Sequence, residues 1–194
     1  MSAFDTGGKG AGHKPAPSFS QRRTSDDALE TLYRRPGFLI RRAQQIAVSL
    51  FMEETGALGI TTTQYGILTV LKHSPGIDQI SLAKLLGLDR STTGMVVAKL
   101  EEAGLIGRSV GQDRRKRDLV LTKAGERMLE KLAEPARRAQ SRVLSPFTAR
   151  ERTVFLDLLE KFVGKFNDST RVPLVANGAA VKRGSKRAAA SSRP

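Results

Sequence analysis

The sequence predicts a mainly α-helical protein with one small β-hairpin near its middle. Apolar residues recur at helical spacing through most of residues 33–166, which is typical of helices packed on one face. Two short apolar runs, near residues 105 and 120, flank a polar loop that contains glycine, the usual pattern of a hairpin. Twice, a threonine stands three residues before Gln or Glu, and this capping-box spacing marks the start of a helix.

Composition limits the classes of protein to be considered. The chain has 194 residues, enough for one domain with tails, and its net charge of +14 favours nucleic acid, an acidic membrane surface or an acidic protein as partner. With 0 Cys it can form no disulfide and no thiolate metal site. No apolar run approaches the roughly 18 residues of a membrane helix, and the N-terminus lacks a secretory pattern. We therefore expect a cytoplasmic protein with no membrane partner.

Both ends of the chain lack apolar periodicity. Residues 1–28 are rich in Gly, Ser, Pro and Lys, whereas residues 169–194 are basic and contain no acidic residue. Such segments cannot bury enough apolar area to offset the entropy of ordering them, so both are predicted to be disordered tails. The basic C-terminal tail can still add a non-specific attraction to phosphates.

The first predicted helix spans about residues 33–54 and ends at Gly56 and Gly59. Its apolar stripe consists of Leu39, Ala43, Ile46, Ala47 and Leu50. The capping box of Thr61 and Gln64 then opens a second helix, with Leu68 facing inward, that stops before Pro75.

Two helices are predicted in the C-terminal half. The first spans about residues 123–143, and Pro135 is expected to interrupt it and kink its axis, because proline lacks the backbone N–H. The second starts at the capping box of Thr148 and Glu151. Its apolar stripe consists of Phe155, Leu158, Leu159 and Phe162.

Two helices joined by a tight turn are predicted between residues 81 and 103. Ser81 is the expected N-cap of a short helix that ends at Leu86, and Gly87 can take the positive φ that the turn requires. Asp89 caps a longer helix that reaches about Ala103. This order predicts a helix-turn-helix motif, although two helices of an ordinary bundle could imitate it.

The second helix of this motif has two chemically different faces at about 100° per residue. The predicted core face consists of Thr93, Val96, Val97 and Leu100. The opposite face, with Arg90 at the helix start, consists of Ser91, Thr92, Met95, Ala98 and Lys99. Small, hydroxylic and apolar side chains suit close approach to a DNA groove, where Met95 could contact a thymine methyl. Gly94 is expected to let the backbone approach the groove more closely.

A hairpin with a basic loop follows, between the apolar runs at Leu105 and Leu119. The charged residues at its tip are Asp113, Arg114, Arg115, Lys116 and Arg117. The cations can neutralise phosphates or enter a narrow minor groove, and Asp113 is expected to pair with Arg115 and orient its guanidinium. With Thr122 capping the next helix, residues 61–122 are predicted to form a winged helix-turn-helix domain that binds double-stranded DNA.

These motifs resemble the MarR family of bacterial transcription regulators over about residues 33–167. Residues 82–108 are similar to its helix-turn-helix and residues 113–122 to its wing signature. The resemblance implies an obligate homodimer, with residues 29–60 and 123–168 as the helical dimerisation region. It also implies that Arg115 enters the minor groove and that Asp113 positions it. Gly94 and Met95 depart from the family pattern, in which polar residues are frequent at these positions.

Residues 35–43 resemble a branch of the family that controls the breakdown of aromatic acids. Members of that branch are released from DNA by an aromatic acid or its coenzyme A thioester, which implies an effector of this kind here. The candidate effector-binding residues are Phe38, Arg42, Gln45, Ser49, Gln64, Tyr65 and His73. An apolar wall beside cationic and amide donors would suit an aromatic ring that carries a carboxylate or phosphate. The alternative for each is structural: Arg42 could pair with a carboxylate, and Tyr65 could pack in the core.

We therefore expect a ligand-responsive regulator, in particular a repressor released from a pseudo-palindromic operator by such an effector. The alternative is an architectural DNA-binding protein without an effector. His13 and His73 are the only histidines, and no carboxylate cluster lies near them at ligand spacing. No nucleophile with a base and no phosphate-binding loop is recognisable, so we expect no metal, no cofactor and no enzymatic activity.

Overall fold

The computed structural model describes residues 27–110 and 117–175. The helices are α1 (27–33), α2 (Pro36–Thr55), α3 (Thr62–His73), α4 (Gln79–Leu86), α5 (Arg90–Glu102), α6 (Lys123–Val143) and α7 (Ala149–Phe166). The strands are β1 (Ile106–Val110) and β2 (Arg117–Leu121), and short 3₁₀ helices occupy Gly56–Leu58 and Asn167–Ser169. The predicted fold class, mainly helical with one β-hairpin, is confirmed.

The chain divides into two units, and the boundary falls within α2, between Gln44 and Gln45. In the first unit the ring of Tyr33 lies 5.2 Å from that of Phe38, and the guanidinium carbon of Arg41 lies 5.0 Å from the Phe38 centroid.

The predicted single helix from residue 33 is wrong at its start, because a break separates α1 from α2. Pro36 begins α2, since its fixed φ and missing N–H suit the first position of a helix.

In the second unit, a core is shared by α3, α4, α5, the hairpin and the first half of α6. Its fully buried apolar side chains are Ile67, Leu68, Leu71, Leu82, Val97, Leu100, Leu119 and Leu132. The capping box at the start of α3 is confirmed: Gln64 Oε1 accepts from the Thr61 N–H at 2.9 Å, and Thr61 Oγ1 accepts from the Gln64 N–H at 3.3 Å. Because Leu82 of α4 and Val97 and Leu100 of α5 belong to this core, the helix-turn-helix packs directly on it.

The hairpin is antiparallel, and its register pairs Ile106 with Leu121 and Val110 with Arg117. The segment before α4 joins it through an isolated bridge, in which the Leu119 N–H donates to the Ile77 carbonyl at 3.0 Å. The hairpin is therefore attached to both ends of the helix-turn-helix, through Ile77 before α4 and through the chain after α5.

Helix α6 runs without a break through Pro135, so the predicted interruption is wrong. Leu129 and Leu132 are buried before the proline, and Ala136 and Ala139 are buried after it. Packing on both sides holds the helix together although one backbone donor is missing. The second half of α6 is also joined to the end of α2 by ion pairs.

Two arginines of α6 bind two glutamates in the last turns of α2. Arg138 Nε donates to Glu54 Oε2 at 2.8 Å, and Arg142 donates to both Glu54 and Glu53, at 3.1 and 2.8 Å. The hydrogen bond from Arg138, followed by that from Arg142, holds the pKa of Glu54 below its ordinary value. These pairs fix the position of α6 against α2 within the second unit.

Helix α7 differs from the other long helices because, within the described residues, it buries no side chain. Three residues of its predicted stripe, Leu158, Leu159 and Phe162, are 60%, 42% and 46% exposed. The fourth, Phe155, is half-buried and stacks on Phe147 with 4.8 Å between ring centroids. The stripe therefore exists, but in this single chain it faces away from any core.

The boundaries predicted for the tails fall inside described structure. Residues 27 and 28 belong to α1, and residues 170–175 continue past α7 to a hydrogen bond from the Val175 N–H to the Lys84 carbonyl, at 3.1 Å. Residues 1–26 and 176–194 lie outside the described residues, so the predicted disorder of the tails stays a prediction.

Candidate nucleic-acid interface

The first helix of the motif starts earlier than the sequence predicted. Asp78, and not Ser81, is the N-cap of α4: its Oδ1 accepts from the N–H groups of Ile80 and Ser81, both at 3.0 Å. Ser81 lies inside the first turn and donates its own hydroxyl to Asp78 Oδ2 at 2.8 Å. A carboxylate accepts these three bonds at once and is favoured at a helix N-terminus, which explains why Asp78 and not Ser81 is the N-cap.

The turn and the start of α5 match the prediction. Gly87 has a φ of +62°, the left-handed conformation that a glycine adopts without strain. Asp89 caps α5 by accepting from the Thr92 N–H at 2.8 Å and from the Thr92 hydroxyl at 2.6 Å. The Thr92 hydroxyl bond, followed by the backbone bond, lowers the pKa of Asp89. The N-terminus of α5 is therefore already occupied by a side-chain anion.

The predicted division of α5 into two faces is confirmed. Thr93, Val97 and Leu100 are fully buried. On the opposite side Arg90, Ser91, Met95, Ala98 and Lys99 are exposed, and Met95 is 59% exposed. We call these five residues the α5 outer face. Its small and flexible side chains leave the helix free to enter a groove along its N-terminal half.

Thr92 and Gly94 have positions that the sequence did not indicate. Thr92 is half-buried, and its hydroxyl proton is used on Asp89, so its clear role is to stabilise the helix start. A Cβ on Gly94 would lie 3.4 Å from Gln79 Nε2, so Gly94 lies against the first turn of α4 and not toward open solvent. The expectation that Gly94 lets the backbone approach a groove more closely stays a prediction.

Gln79 is a residue of this surface that the sequence reading missed. It is the first residue of α4, it is half-buried, and its amide lies next to Gly94 at the edge of α5. The misplaced cap concealed it, because a helix starting at Ser81 leaves Gln79 in a loop. Asp78 followed by a helical pattern was the signal that could have found it.

The wing is fixed to α5 by an ion pair that was also not predicted. Arg108 of β1 donates from Nε to Glu101 Oε1 at 2.6 Å and from Nη2 to Glu101 Oε2 at 3.0 Å. Glu101 raises the pKa of the Arg108 guanidinium through this bond. Such a two-bond pair fixes orientation as well as distance. It therefore sets the angle at which the hairpin leaves the last turn of α5.

The tip of the wing lies outside the described residues. This applies to Asp113, Arg114, Arg115 and Lys116, so the predicted pairing of Asp113 with Arg115 stays a prediction. The backbone of Arg117 opens β2 opposite Val110. The strand pairing brings Val110 and Arg117 together at the end of the hairpin remote from Leu121.

The predicted effector residues are distributed over both units. Phe38 and Arg42 belong to the first unit, and the other five belong to the second. Gln64 is used in the capping box of α3, and the ring of Tyr65 lies 5.5 Å from Phe51 at the edge of the core. These two positions support the structural alternative for Gln64 and Tyr65. His73 is exposed in the last turn of α3.

Ser49 and Gln45 complete the set of predicted effector residues. Ser49 donates its hydroxyl to Glu53 Oε1 at 3.4 Å, and Gln45 is an exposed residue of α2. An open groove of about 800 Å³ lies elsewhere, between the turn after α4 and the end of α7. Among the described residues that line this groove, none is a predicted effector residue. Its walls include Asp89, Arg90, Phe162, Phe166, Arg171 and Leu174.

Over residues 27–110 and 117–175, no helix is both long and apolar enough to cross a membrane. The same part of the chain contains no group of three or more His, Asp or Glu side chains placed to hold a metal ion.

Comparison with known proteins identifies relatives of this architecture. A model of the MarR family matches residues 58–116, from the end of the 3₁₀ helix after α2 into the loop of the hairpin. A putative transcriptional regulatory protein for the hcr operon of Thauera aromatica is 34% identical over 127 residues. The matched part covers 64% of this chain and 76% of that protein.

Two solved structures are similar over most of their length. The transcriptional repressor CouR bound to a 23-mer DNA duplex has a TM-score of 0.64 and 27% identity, covering 68% of this chain and 94% of CouR. Bordetella bronchiseptica BpsR, whose DNA binding is regulated by 6-hydroxynicotinic acid, has a TM-score of 0.63 and 25% identity, covering 67% and 94%. With the capped helix pair and its attached hairpin, these similarities show that the chain is a winged-helix transcriptional regulator of the MarR family.

Proposed function

We propose that the protein is a homodimeric repressor that binds a pseudo-palindromic operator and is released from it by a small aromatic acid or its coenzyme A thioester. The observation that carries DNA binding is the α5 outer face, held at a fixed angle to a basic hairpin by Arg108 and Glu101. In the helix-turn-helix arrangement, the second helix lies in the major groove and the first crosses the backbone. DNA is also the partner in the CouR structure, which this chain resembles.

Dimer formation is proposed from the apolar surface that this chain leaves open. On α7, Val154, Leu158, Phe162, Val163 and Phe166 are between 46% and 60% exposed. On the second-unit part of α2, Ile46, Val48 and Met52 are also exposed. Large contiguous apolar patches on a soluble protein mark association surfaces. A two-fold dimer would place two α5 helices about 34–36 Å apart, one turn of DNA.

The effector is proposed from the likeness to BpsR and from the sequence of α2. BpsR responds to 6-hydroxynicotinic acid, an aromatic acid. A ligand changes operator affinity only if it binds the released state more tightly than the DNA-bound state. The proposed dimer acts in the cytoplasm, where its operator lies, and needs no cofactor and no catalytic step.

The second candidate is an architectural DNA-binding protein without an effector. It is favoured by one observation: Gln64 and Tyr65, two of the predicted effector residues, have structural contacts instead. Such a protein would bind DNA of any sequence with a similar and strongly salt-dependent affinity.

One titration separates the two candidates. The purified protein is added to labelled fragments of the DNA that flanks its own coding region and to random DNA of equal length, and anisotropy is recorded. A repressor of the proposed kind prefers a flanking fragment, and a series of aryl acids or aryl thioesters lowers that affinity. Equal affinity for both DNAs would exclude the repressor, whereas a preference that no aryl compound changes would exclude the effector class.

A further inference from the structure

The side chain of Gln79 lies where the first turn of α4 meets α5. Gln79 is the first residue of α4, and it is half-buried. A Cβ built on Gly94 of α5 would lie 3.4 Å from Gln79 Nε2, which is van der Waals contact. The Gln79 amide therefore lies directly over Gly94, in space for which a side chain longer than that of alanine at position 94 would compete.

Gly94 interrupts a row of side chains on α5. Residues four apart are neighbours on a helix surface, so Arg90, Gly94 and Ala98 form one row along α5. Arg90 and Ala98 are exposed and belong to the α5 outer face, whereas Gly94, between them, is half-buried and has no side chain. We call this missing position the Gly94 gap. Because the Gln79 amide lies at the gap, a side chain of α4 completes this row of α5.

The hydroxyl groups beside the Gly94 gap are already used within the protein. Ser81 donates its hydroxyl to Asp78 at 2.8 Å, and Thr92 donates its hydroxyl to Asp89 at 2.6 Å. Among the hydrogen bonds within residues 27–110 and 117–175, none involves the side chain of Gln79. Its carbonyl oxygen and both amide protons are therefore available to a partner outside the chain.

A glutamine amide at this place has the groups that one particular base requires. In a bound helix-turn-helix, the second helix lies in the major groove and its N-terminal residues contact base edges. Gly94 is the fifth residue of α5, so the amide beside it lies along the N-terminal half of that helix. Adenine presents an acceptor, N7, and a donor, the N6 amino group, in the major groove, and glutamine pairs with both at once.

From this placement we propose that Gln79 is a specificity-determining residue that recognises an adenine in each half-site through the Gly94 gap. The inference rests on the proposed DNA binding and adds a base contact from α4 to those of the α5 outer face. Its half-buried position restricts the side chain before DNA binds, which reduces the entropy lost on binding. A contact of the same amide with a phosphate would carry no sequence information, so the two contacts give different results.

The first test measures base preference at each position of the site. The natural protein and Gln79→Ala each select from a pool of random DNA duplexes, and the bound fraction is sequenced. The natural protein should prefer adenine at one position of each half-site, and Gln79→Ala should lose that preference by about 5- to 150-fold, the range for a two-bond base contact. Gln140→Ala, on an exposed part of α6, is the matched control and should keep it. A retained preference for adenine, or an equal loss of affinity for all sequences, overturns the inference.

A second variant changes the chemistry of the contact and keeps its length. The carboxylate of Gln79→Glu can accept from the N4 amino group of cytosine but cannot donate to adenine N7. The preferred base at the same position should therefore change from adenine to cytosine. A purely structural role of Gln79 would alter stability and leave the preferred base unchanged. Because an acidic residue is favoured in the first turn of a helix, this variant should fold, which circular dichroism checks. Selection of adenine by Gln79→Glu overturns the inference.

The third test asks whether Gly94 makes room for the contact. Gly94→Leu places a long side chain in the space of the Gln79 amide, and leucine forms helices more readily than glycine, so α5 should stay intact. The adenine preference should fall as in Gln79→Ala, and the double variant should lose no more of it. Gly94→Ala, whose Cβ only reaches van der Waals contact, is the control and should keep the preference.

The outcomes of these selections separate the inference from the proposed function. An adenine preference in Gly94→Leu equal to that of the natural protein overturns the role of the Gly94 gap. A natural protein that selects an operator without an adenine that depends on Gln79 overturns this inference alone. A natural protein that selects no sequence overturns the proposed function as well.

Discussion

The helix-turn-helix and α7 use apolar residues in opposite ways. Leu82 of α4 and Leu100 of α5 are fully buried in a core completed by α3, the hairpin and α6. In α7, Leu158 and Val163 are 60% and 56% exposed, although the helix is equally well formed. One region closes its own core and the other does not. This difference indicates that the DNA-binding part folds on its own contacts, and the exposed apolar stripe of α7 supports the proposal that this helix contacts a second chain.

The largest expected effect concerns the closed core. Leu68 is fully buried in α3, so Leu68→Ala should lower the free energy of unfolding by about 2–5 kcal/mol through lost burial and a cavity. The control, Leu158→Ala on the exposed face of α7, should have a far smaller effect on an isolated monomer. Urea denaturation of both variants measures the difference, and equal losses under monomeric conditions would contradict the comparison.

The next effect concerns association. Leu158→Asp should place a charge inside the proposed dimer contact, and a central interface residue contributes about 2 kcal/mol or more, roughly 30-fold in the dissociation constant. Analytical ultracentrifugation over a concentration series should show dissociation to a monomer with unchanged helix content. Glu160→Gln, on the same helix, is the matched control and should remain dimeric. If the natural protein is monomeric at all concentrations, the proposal that the exposed stripe of α7 forms a dimer contact is wrong.

A third comparison separates two cations of the wing loop. Arg115→Ala should weaken operator binding by about 1–3 kcal/mol and relax sequence preference, if Arg115 enters the minor groove as the family resemblance implies. Lys116→Ala should weaken binding to all sequences alike and reduce the salt slope by about one. Anisotropy titrations on operator and random DNA distinguish these results. Identical behaviour of the two variants would remove the special role of Arg115.

A smaller effect should separate two neighbouring hydroxyls of α5. Thr92 donates its hydroxyl to Asp89, so Thr92→Val should cost about 0.5–1.5 kcal/mol of stability and leave operator affinity nearly unchanged. Ser91 is exposed on the α5 outer face, so Ser91→Ala should reduce affinity and leave stability unchanged. Thermal unfolding measures the stability of both variants, and DNA titration measures their operator affinity. A loss of affinity in Thr92→Val equal to that in Ser91→Ala would contradict it.

The smallest effect is a dependence on pH. Arg138 and Arg142 lower the pKa of Glu54 below its ordinary value of 4.5, so the folded state binds its proton less readily than the unfolded state. The stabilisation is therefore fully present above pH 4.5 and is lost as the pH falls through the lower folded pKa. Glu54→Gln should flatten this part of the stability profile, which acid titration followed by circular dichroism measures. If the free energy of unfolding of the natural protein and of Glu54→Gln falls equally as the pH is lowered below 4.5, the assignment to Glu54 is wrong.

The sequence was sufficient where short-range rules decide the structure. The boxes at Thr61 and Thr148, the cap at Asp89 and the left-handed Gly87 all depend on neighbours within four residues. The two faces of α5 were also predictable, since a helix repeats every 3.6 residues. These local features together located the helix-turn-helix and the hairpin.

Sequence reasoning failed where distant contacts decide the outcome. Pro135 does not interrupt α6, because residues on both sides of it pack into cores that sequence spacing cannot reveal. The pair of Arg108 with Glu101 joins β1 to the last turn of α5, so it depends on how the strand packs against the helix. The bond from Val175 to Lys84 joins positions that are far apart in the chain. Asp78 was overlooked because Ser81 is also a good cap, and only the observed hydrogen bonds show which one accepts them.

Hydroxyl-radical footprinting on a selected operator tests the central claim most directly. If two copies of the chain each place α5 in a major groove, the natural protein should protect two segments about one helical turn apart, and Leu158→Asp should lose this paired protection at the same concentration. A single protected segment, or protection without sequence preference, would contradict the account.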